Sequence, residues 1–296
     1  MKTFLNRLIF AMFMLAWSAH AYAQADASRS AAALRAQYQN LQEKLRNNEF
    51  GRPVYLDSRQ SADDVEGDIY SVINYPFRTT RSSLSQASNW CEILFLHLNT
   101  KYCKASQTDG GNSMTVYVGK KTPQSLDSAY RIDYQFRPVF SSAKYLQVLM
   151  SADSGPFGTS NYRIMLEAIP VGAGRSFIHV KYSYAYGTMA KLAMQSYLST
   201  FGSGKVGFSS EANEDGEPAR VGGLRGAMER NTMRYYLAID AYLQSLSAPE
   251  KDRLETRLRD WFRSTERYSL QLHEISQKEY LSMKRKEYQR QQAGEE

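Results

Sequence analysis

The sequence is poor in the residues that build metal sites and nucleophile pairs, with two cysteines and four histidines among 296 residues. Cys91, His97 and Cys103 lie closest together, but their spacing matches no common zinc motif. On a helix, the segment from Cys91 to His97 turns by roughly 600°, so the two side chains point about 120° apart. We therefore expect neither a metal site nor a Cys–His nucleophile pair, and we predict no cofactor. His97 is instead expected near a helix C-terminus, where partial positive charge is favourable.

Long apolar runs are also scarce. The one that stands out, residues 8–17, is about half of the roughly 20 residues that a membrane helix needs. Lys2 and Arg7 flank its N-terminal side, and small residues up to Ala23 follow it. That order predicts a secretory signal peptide over residues 1–23, cleaved near Ala23, and hence a periplasmic protein.

Export changes the interpretation of the two cysteines, because thiols in an oxidising compartment tend to pair. Helical residues from Cys91 to Leu98 climb about 10 Å, and the extended residues back to Cys103 reach up to about 16 Å. The sequence therefore predicts a disulfide between Cys91 and Cys103, which stabilises by roughly 3 kcal/mol in the chain-entropy estimate.

Charge of one sign is not concentrated in any segment. The net charge of +7 falls to +5 without Lys2 and Arg7, and basic residues alternate with acidic ones, especially after residue 250. This pattern is typical of a solvated surface, so we predict no nucleic-acid partner.

A phosphate-binding loop is missing as well, although glycines occur in G-x-G-x-x-G spacing at Gly202, Gly204 and Gly207. The dinucleotide fingerprint requires a strand before the glycines and a helix after them, whereas a helix precedes this stretch and a polar loop follows. Val206 stands where a Walker A loop needs Ser or Thr after the lysine. The stretch is interpreted as a flexible loop.

Tyrosine, by contrast, is abundant: the chain has 21 Tyr and 13 Phe, enough to line a core or an apolar cavity. Residues 130–136 alternate apolar and polar side chains, as expected for a strand with one face in water. Similar strands follow up to residue 187, and residues 226–246 predict a long helix with apolar residues every three or four positions.

The chain divides by pattern into four segments. The signal peptide (1–23) precedes an amphipathic helical segment (24–52), whose Leu34 and Leu41 belong to one stripe. Residues 53–248 predict one mixed domain, and residues 249–296 predict a C-terminal helical extension.

Three polar residues of the long helix have two interpretations. Glu229, Arg230 and Arg234 are placed to contact a ligand headgroup. Alternatively, Glu229 favours the helix N-terminus and the arginines form ordinary surface pairs. His179 is predicted on the outer face of its strand.

The segments EGDIYSVINYPFRTTRSSLSQASNWCEIL (66–94) and RGAMERNTMRYYLAIDAYL (225–243) resemble the opening strand and helices and the closing helix of one superfamily. This is the START-like helix-grip fold of the SRPBCC superfamily, which has lipid-transfer, Bet v 1-like and polyketide-cyclase members. The resemblance implies an α+β fold in which a curved antiparallel sheet surrounds a long C-terminal helix. The N- and C-terminal helices of this chain are additions to that pattern.

The resemblance also implies an apolar cavity between the sheet and the long helix. Ten side chains would line it, with Glu229 and Arg230 as polar contacts and residues 216–226 as a lid: Tyr130, Ile132, Tyr134, Phe136, Tyr162, Ile164, Leu166, Tyr236, Ile239 and Leu243. The alternative is that these side chains simply fill a core.

Three functions follow from these observations. The leading hypothesis is a periplasmic protein that binds a lipid or another hydrophobic small molecule without chemistry. One alternative is a cell-envelope interaction protein that docks a partner, or contacts the membrane surface, through its terminal helices. The other, less favoured, is a cyclase- or hydrolase-like enzyme that uses Glu229 with a tyrosine hydroxyl.

Overall fold

The computed structural model describes residues 28–108, 111–200, 204–213 and 215–293. The predicted signal peptide and Gly202 of the glycine-rich loop lie outside the described residues. No helix of the described ranges is both long and apolar enough to cross a membrane.

Eight strands form one curved antiparallel sheet in the order β1-β2-β8-β7-β6-β5-β4-β3. The strands are β1 (Val54–Gln60), β2 (Asp64–Ile73), β3 (Thr100–Thr108), β4 (Gly111–Val118), β5 (Tyr130–Ser141), β6 (Leu146–Ser154), β7 (Thr159–Pro170) and β8 (Ser176–Tyr186). The chain leaves β2 and starts again at the far edge with β3, so β1 and β3 are the two edge strands.

Helices precede, interrupt and follow the sheet. They are α1 (28–40), α2 (Gln42–Arg46), α3 (Phe77–Leu84), α4 (Ala87–Leu94), α5 (Thr188–Thr200), α6 (Gly223–Ser245), α7 (Arg253–Glu266), α8 (Ser269–Leu272) and α9 (Gln277–Ala293). A short hairpin, β9 (Ser210–Ala212) with β10 (Pro218–Arg220), lies in the polar segment before α6.

The long helix α6 packs on the concave face of the sheet, most closely on β1, β2 and β8. Gly67 on β2 permits this approach, because a Cβ there would collide with Thr232 of the helix. Farther along, the hydroxyl of Ser71 donates to that of Tyr236 at 3.0 Å. Strand order and closing helix are those of the helix-grip α+β fold, so the predicted fold class is confirmed.

The convex face of the sheet carries a second core. Leu34, Leu41 and Leu45 of the N-terminal helices pack there against buried side chains of β7 and β8 and against Tyr145, just before β6. The predicted single helix is broken at Leu41 into α1 and α2. The stripe of leucines thus docks on the sheet.

His179 lies on this outer, convex face, as predicted, but it is buried there and hydrogen-bonded to two carboxylates. Its Nε2 lies 2.7 Å from Asp68 Oδ1 and its Nδ1 lies 3.0 Å from Glu167 Oε2. Burial alone would lower the pKa of His179, but the bonds to Asp68 and Glu167 outweigh it and raise the pKa. Because the N-terminal helices cover part of the convex face, side chains on that face are buried as well.

The helices after residue 249 belong to the concave core, since Trp261 and Tyr280 are buried in the same cluster as α6. Helix α9 is fastened by four buried or half-buried charged groups, which we name the closed cluster: Lys101, Lys284, Arg290 and Glu287. Glu287 lies 3.0 Å from Lys101 Nζ and 2.7 Å from Lys284 Nζ. All three cations also donate to backbone carbonyls near the start of β3 or between β4 and β5.

The predicted disulfide between Cys91 and Cys103 is present and joins α4 to β3. Trp90 beside it is fully buried, and its indole donates to the carbonyl of Leu84 in α3. The stretch containing both cysteines therefore fastens two helices to the edge of the sheet.

Candidate functional site

Nearly all the predicted lining residues are buried in the concave core. Nine of them are at most 7% exposed: Ile132, Tyr134, Phe136, Tyr162, Ile164, Leu166, Tyr236, Ile239 and Leu243. They belong to one continuous cluster with α6, so periodicity identified the face of each strand correctly. Their burial alone does not separate a ligand site from a filled core.

Tyr130 is the exception, and its inward placement was wrong. It is 47% exposed, at the first position of β5 opposite Val118. Its ring lies 5.4 Å from that of Phe157, which is exposed as well. The alternation of apolar and polar residues predicts which face of the sheet a side chain lies on. It does not predict where along the strand that face stops being covered by other elements.

Five tyrosines converge between the sheet and α6, and we name them the tyrosine cluster: Tyr134, Tyr162, Tyr182, Tyr184 and Tyr235. The rings of Tyr162 and Tyr184 stack at 5.2 Å, and Tyr182 meets Tyr235 edge-on at 5.2 Å. Tyr182, Tyr184 and Tyr235 were not among the predicted residues. Alternation along YSYAY (182–186) in β8 puts Tyr182 and Tyr184 on one face of the strand and was the available signal for these two.

The hydroxyl of Tyr162 shares a hydrogen bond of 2.7 Å with Thr159 Oγ1. The fully buried polar atoms that lack a hydrogen bond among the described residues do not include the hydroxyls of Tyr134 and Tyr184. Burial raises the pKa of Tyr134, Tyr162 and Tyr184, that of Tyr162 to about 12, so all three remain neutral phenols.

Tyr235 marks the place where this interior is accessible, since it is half-buried while Tyr182 against it is buried. Asn231, one turn earlier on the same face of α6, is also half-buried. On its other side the ring of Tyr235 lies 5.5 Å from the imidazole of His97.

His97 is buried and neutral, so the expectation of a partly positive group at a helix end was wrong. Burial, reinforced by Arg234 and Lys121, lowers the pKa of His97 well below its usual value. Its Nδ1 accepts a hydrogen bond from the backbone N–H of Asn99 at 3.2 Å, which leaves the proton on Nε2. Asn231 approaches the ring closely enough to favour protonation, but Nε2 forms no hydrogen bond of ordinary geometry.

Beside His97 lies a second group of charges, which we name the open cluster: Lys121, Arg230, Arg234 and Glu274. Arg234 Nη2 and Lys121 Nζ approach the same carboxylate oxygen of Glu274, at 2.7 and 2.5 Å. Arg230 donates to the carbonyl of Val206 at 3.2 Å. The side chains of Arg234 and Glu274 are buried, whereas that of Lys121 is 25% exposed.

The charges of the open cluster shift one another's pKa values. Burial and the charge of Arg234 lower the pKa of Lys121 to about 8 and that of Arg230 to about 10. Burial would raise the pKa of Glu274, but Arg234 and Lys121 outweigh it and hold the pKa below the usual value. At neutral pH the open cluster therefore has three cations and one carboxylate.

Glu229, predicted as a ligand contact, is engaged within the protein. Its carboxylate accepts hydrogen bonds from Ser58 Oγ at 2.5 Å and from the backbone N–H groups of Phe208 and Ser209 at 2.5 and 2.9 Å. It anchors the glycine-rich segment onto α6 and β1. Of the predicted lid, residues 218–220 form the outer strand β10, and the rest leads into α6.

Two open concavities, of about 190 and 370 Å³, meet at Phe50 and Phe208 outside the interior. None of the predicted ligand residues lines them. Polar side chains at their rims already bond within the chain, as Asn48 does to the backbone of α2 and Glu49 does to Arg220.

No family model and no curated protein sequence matches this chain. Several solved structures are similar in fold at low identity. A conserved protein from Geobacillus kaustophilus is 9% identical, with 60% of this chain and 95% of that chain covered and a TM-score of 0.34.

Norcoclaurine synthase from Thalictrum flavum is 13% identical over 49% of this chain and 92% of its own, with a TM-score of 0.32. The human StarD13 lipid transfer and protein localization domain is 10% identical over 54% and 87%, with a TM-score of 0.28. Scores this low carry no argument about function, and the fold class rests on the strand order and α6.

Proposed function

We propose that this protein binds a lipid or another hydrophobic small molecule, without chemistry, between the sheet and α6. The observation that carries the proposal is the convergence of five tyrosine rings on the inner face, between the sheet and α6. The binding site is the tyrosine cluster, with its accessible side at Tyr235.

The rings of the tyrosine cluster supply apolar area between the sheet and α6, and their hydroxyls are polar groups that can fix the orientation of a bound molecule. Aromatic walls with a few polar groups are typical of sites for small hydrophobic ligands.

The proposed location is the periplasm. The order of charged, apolar and small residues over 1–23 supports export. A disulfide between the chain's two cysteines agrees with an oxidising compartment.

The two alternative functions have less support. The enzyme hypothesis required a free Glu229, and that carboxylate already accepts three hydrogen bonds. The docking hypothesis required terminal helices available to a partner, and Trp261 and Tyr280 bury the inner sides of α7 and α9 in the core.

Native mass spectrometry of the protein purified without detergent, followed by lipid extraction, tests the proposal. We expect a bound apolar molecule, or else saturable binding of the neutral probe 1-decanol in calorimetry. Asn231→Phe places a ring beside Tyr235 and is expected to weaken 1-decanol binding at least about tenfold. Gln244→Phe, at an exposed position of the same helix, is the matched control. A wild-type protein that carries nothing and binds no 1-decanol would overturn the proposal.

A further inference from the structure

We propose that the open cluster binds the anionic headgroup of the ligand, through carboxylate or phosphate oxygens, while the apolar part lies in the tyrosine cluster. This inference rests on the proposed function and adds the chemical class of the ligand, an amphipathic anion.

The first support is the imbalance of charge. Lys121, Arg230 and Arg234 share the single carboxylate of Glu274, and the ammonium of Lys205 is also close enough to lower the pKa of that carboxyl. The nearest further carboxylate on α6, that of Glu229, is occupied by Ser58 and two backbone N–H groups. Cations out of contact with water are stable where an anion pairs with them. The open cluster therefore has more positive than negative charge, and one more anion would reduce that excess.

The second support is the type of groups left without partners. Among the described residues, three buried nitrogens lack a hydrogen bond: Arg290 Nε in the closed cluster, and Arg234 Nε and His97 Nε2 at the open cluster. A guanidinium nitrogen is a donor only, and the neutral imidazole carries its proton on Nε2 because Nδ1 accepts from Asn99. Arg234 Nε and His97 Nε2 are therefore both donors, and each requires a hydrogen-bond acceptor.

The third support is the position of the open cluster beside the proposed apolar site. His97 contacts Tyr235 at 5.5 Å between ring centres, and Arg234 Nη1 approaches Asn231 Oδ1 at 3.4 Å. The partly exposed ammonium of Lys121 gives the cluster a side toward solvent. A headgroup at the cluster would thus be continuous with a tail among the tyrosines.

A matched set of probes tests this inference on the full mature chain: decanoate, 1-decanol and inorganic phosphate. Decanoate and 1-decanol share a tail and differ in charge, so we expect decanoate to bind at least about tenfold more tightly. Lys121→Gln is expected to remove most of that difference and to leave 1-decanol binding unchanged. Lys120→Gln, an exposed lysine on the same loop, is expected to change neither.

The outcomes separate the two proposals. Equal affinities for decanoate and 1-decanol, unaffected by Lys121→Gln, would overturn the headgroup site and leave the apolar site standing. Absence of binding by both would overturn the proposed function itself. Binding of phosphate alone, lost in Lys121→Gln, would keep an anion site and assign it to a free anion instead of a lipid, which contradicts the amphipathic ligand.

Discussion

The closed cluster and the open cluster have the same composition, three cations around one glutamate, yet they are completed differently. In the closed cluster each of Lys101 and Lys284 reaches Glu287 and also backbone carbonyls, and neither lysine is exposed. In the open cluster Lys121 pairs with Glu274 and keeps a quarter of its side chain in solvent.

The difference separates a structural use of buried charge from one that fits binding. Backbone carbonyls are fixed acceptors, so a cluster completed by them fastens one element to another. Arg290 Nε of the closed cluster also lacks an acceptor, but the two lysines beside it are fully buried. In the open cluster the donors without an acceptor lie beside the partly exposed Lys121, which leaves a place for a molecule that is not part of the chain. The closed cluster holds α9 against β3, whereas the open cluster lies beside the tyrosine cluster.

The largest expected effect comes from removing the central carboxylates. Glu287→Gln leaves two fully buried lysines without their anion, so we expect the free energy of unfolding to fall by about 3–5 kcal/mol. Glu274→Gln should cost less, about 2 kcal/mol, because Lys121 reaches water. Urea unfolding of both variants measures this, with and without decanoate.

Decanoate should stabilise both variants because both keep the binding site, and it should stabilise Glu274→Gln more because its carboxylate replaces the one removed there. Equal losses in the two variants, indifferent to decanoate, would contradict the distinction between the clusters.

A smaller effect is the pH dependence caused by Lys284. Burial lowers the pKa of this lysine to about 8, against about 10.4 in an unfolded chain. Between these values the unfolded state binds more protons, so the free energy of unfolding should rise with pH from about 8 to about 10. Relative to Lys284→Met, the wild type should gain about 1–2 kcal/mol between pH 7.5 and 9.5.

Lys286→Met, which changes an exposed lysine of the same helix, should retain the wild-type pH dependence. Urea unfolding at the two pH values measures all three proteins. Parallel curves for the wild type and Lys284→Met would contradict a charged, buried Lys284.

The smallest effect compares a tyrosine hydroxyl that is hydrogen-bonded on the convex face with one in the tyrosine cluster on the concave face. The hydroxyl of Tyr145 donates to Glu167 at 2.5 Å on the convex face, so Tyr145→Phe should cost about 1–2 kcal/mol. Tyr134→Phe should leave the ligand-free protein as stable as the wild type and weaken 1-decanol binding a few-fold. Tyr130→Phe is the exposed control on the same strand. A stability loss in Tyr134→Phe equal to that in Tyr145→Phe would show that Tyr134 is already satisfied.

Local patterns predicted the parts of the fold that depend on local order. Alternation in β5 gave the inward Ile132, Tyr134 and Phe136, and chain geometry with the expected compartment gave the disulfide. The packing between segments that are distant in sequence could not be predicted from these local patterns. Tyr130 was misplaced because nothing local marks where the cover over β5 ends, and the burial of His179 was missed because its partners Asp68 and Glu167 lie on other strands.

The candidate site was predicted only in part for the same reason. Arg230 was found from helical spacing, but Lys121 and Glu274 are remote in sequence and meet it only through the docking of the C-terminal helices. Lysine and glutamate in charged segments are ordinarily solvent-exposed, so no periodic signal distinguished these two.

The closed cluster has a consequence for the order of folding. Lys101 and Glu287 are 186 positions apart, so the edge strand β3 gains its ionic fastening only after almost the whole chain is available. Contacts of such separation slow folding, because the intervening chain must lose its freedom first. If the chain is exported in the unfolded state, the fold would therefore stay incomplete during export. The core would become complete only when α9, the last helix, has docked.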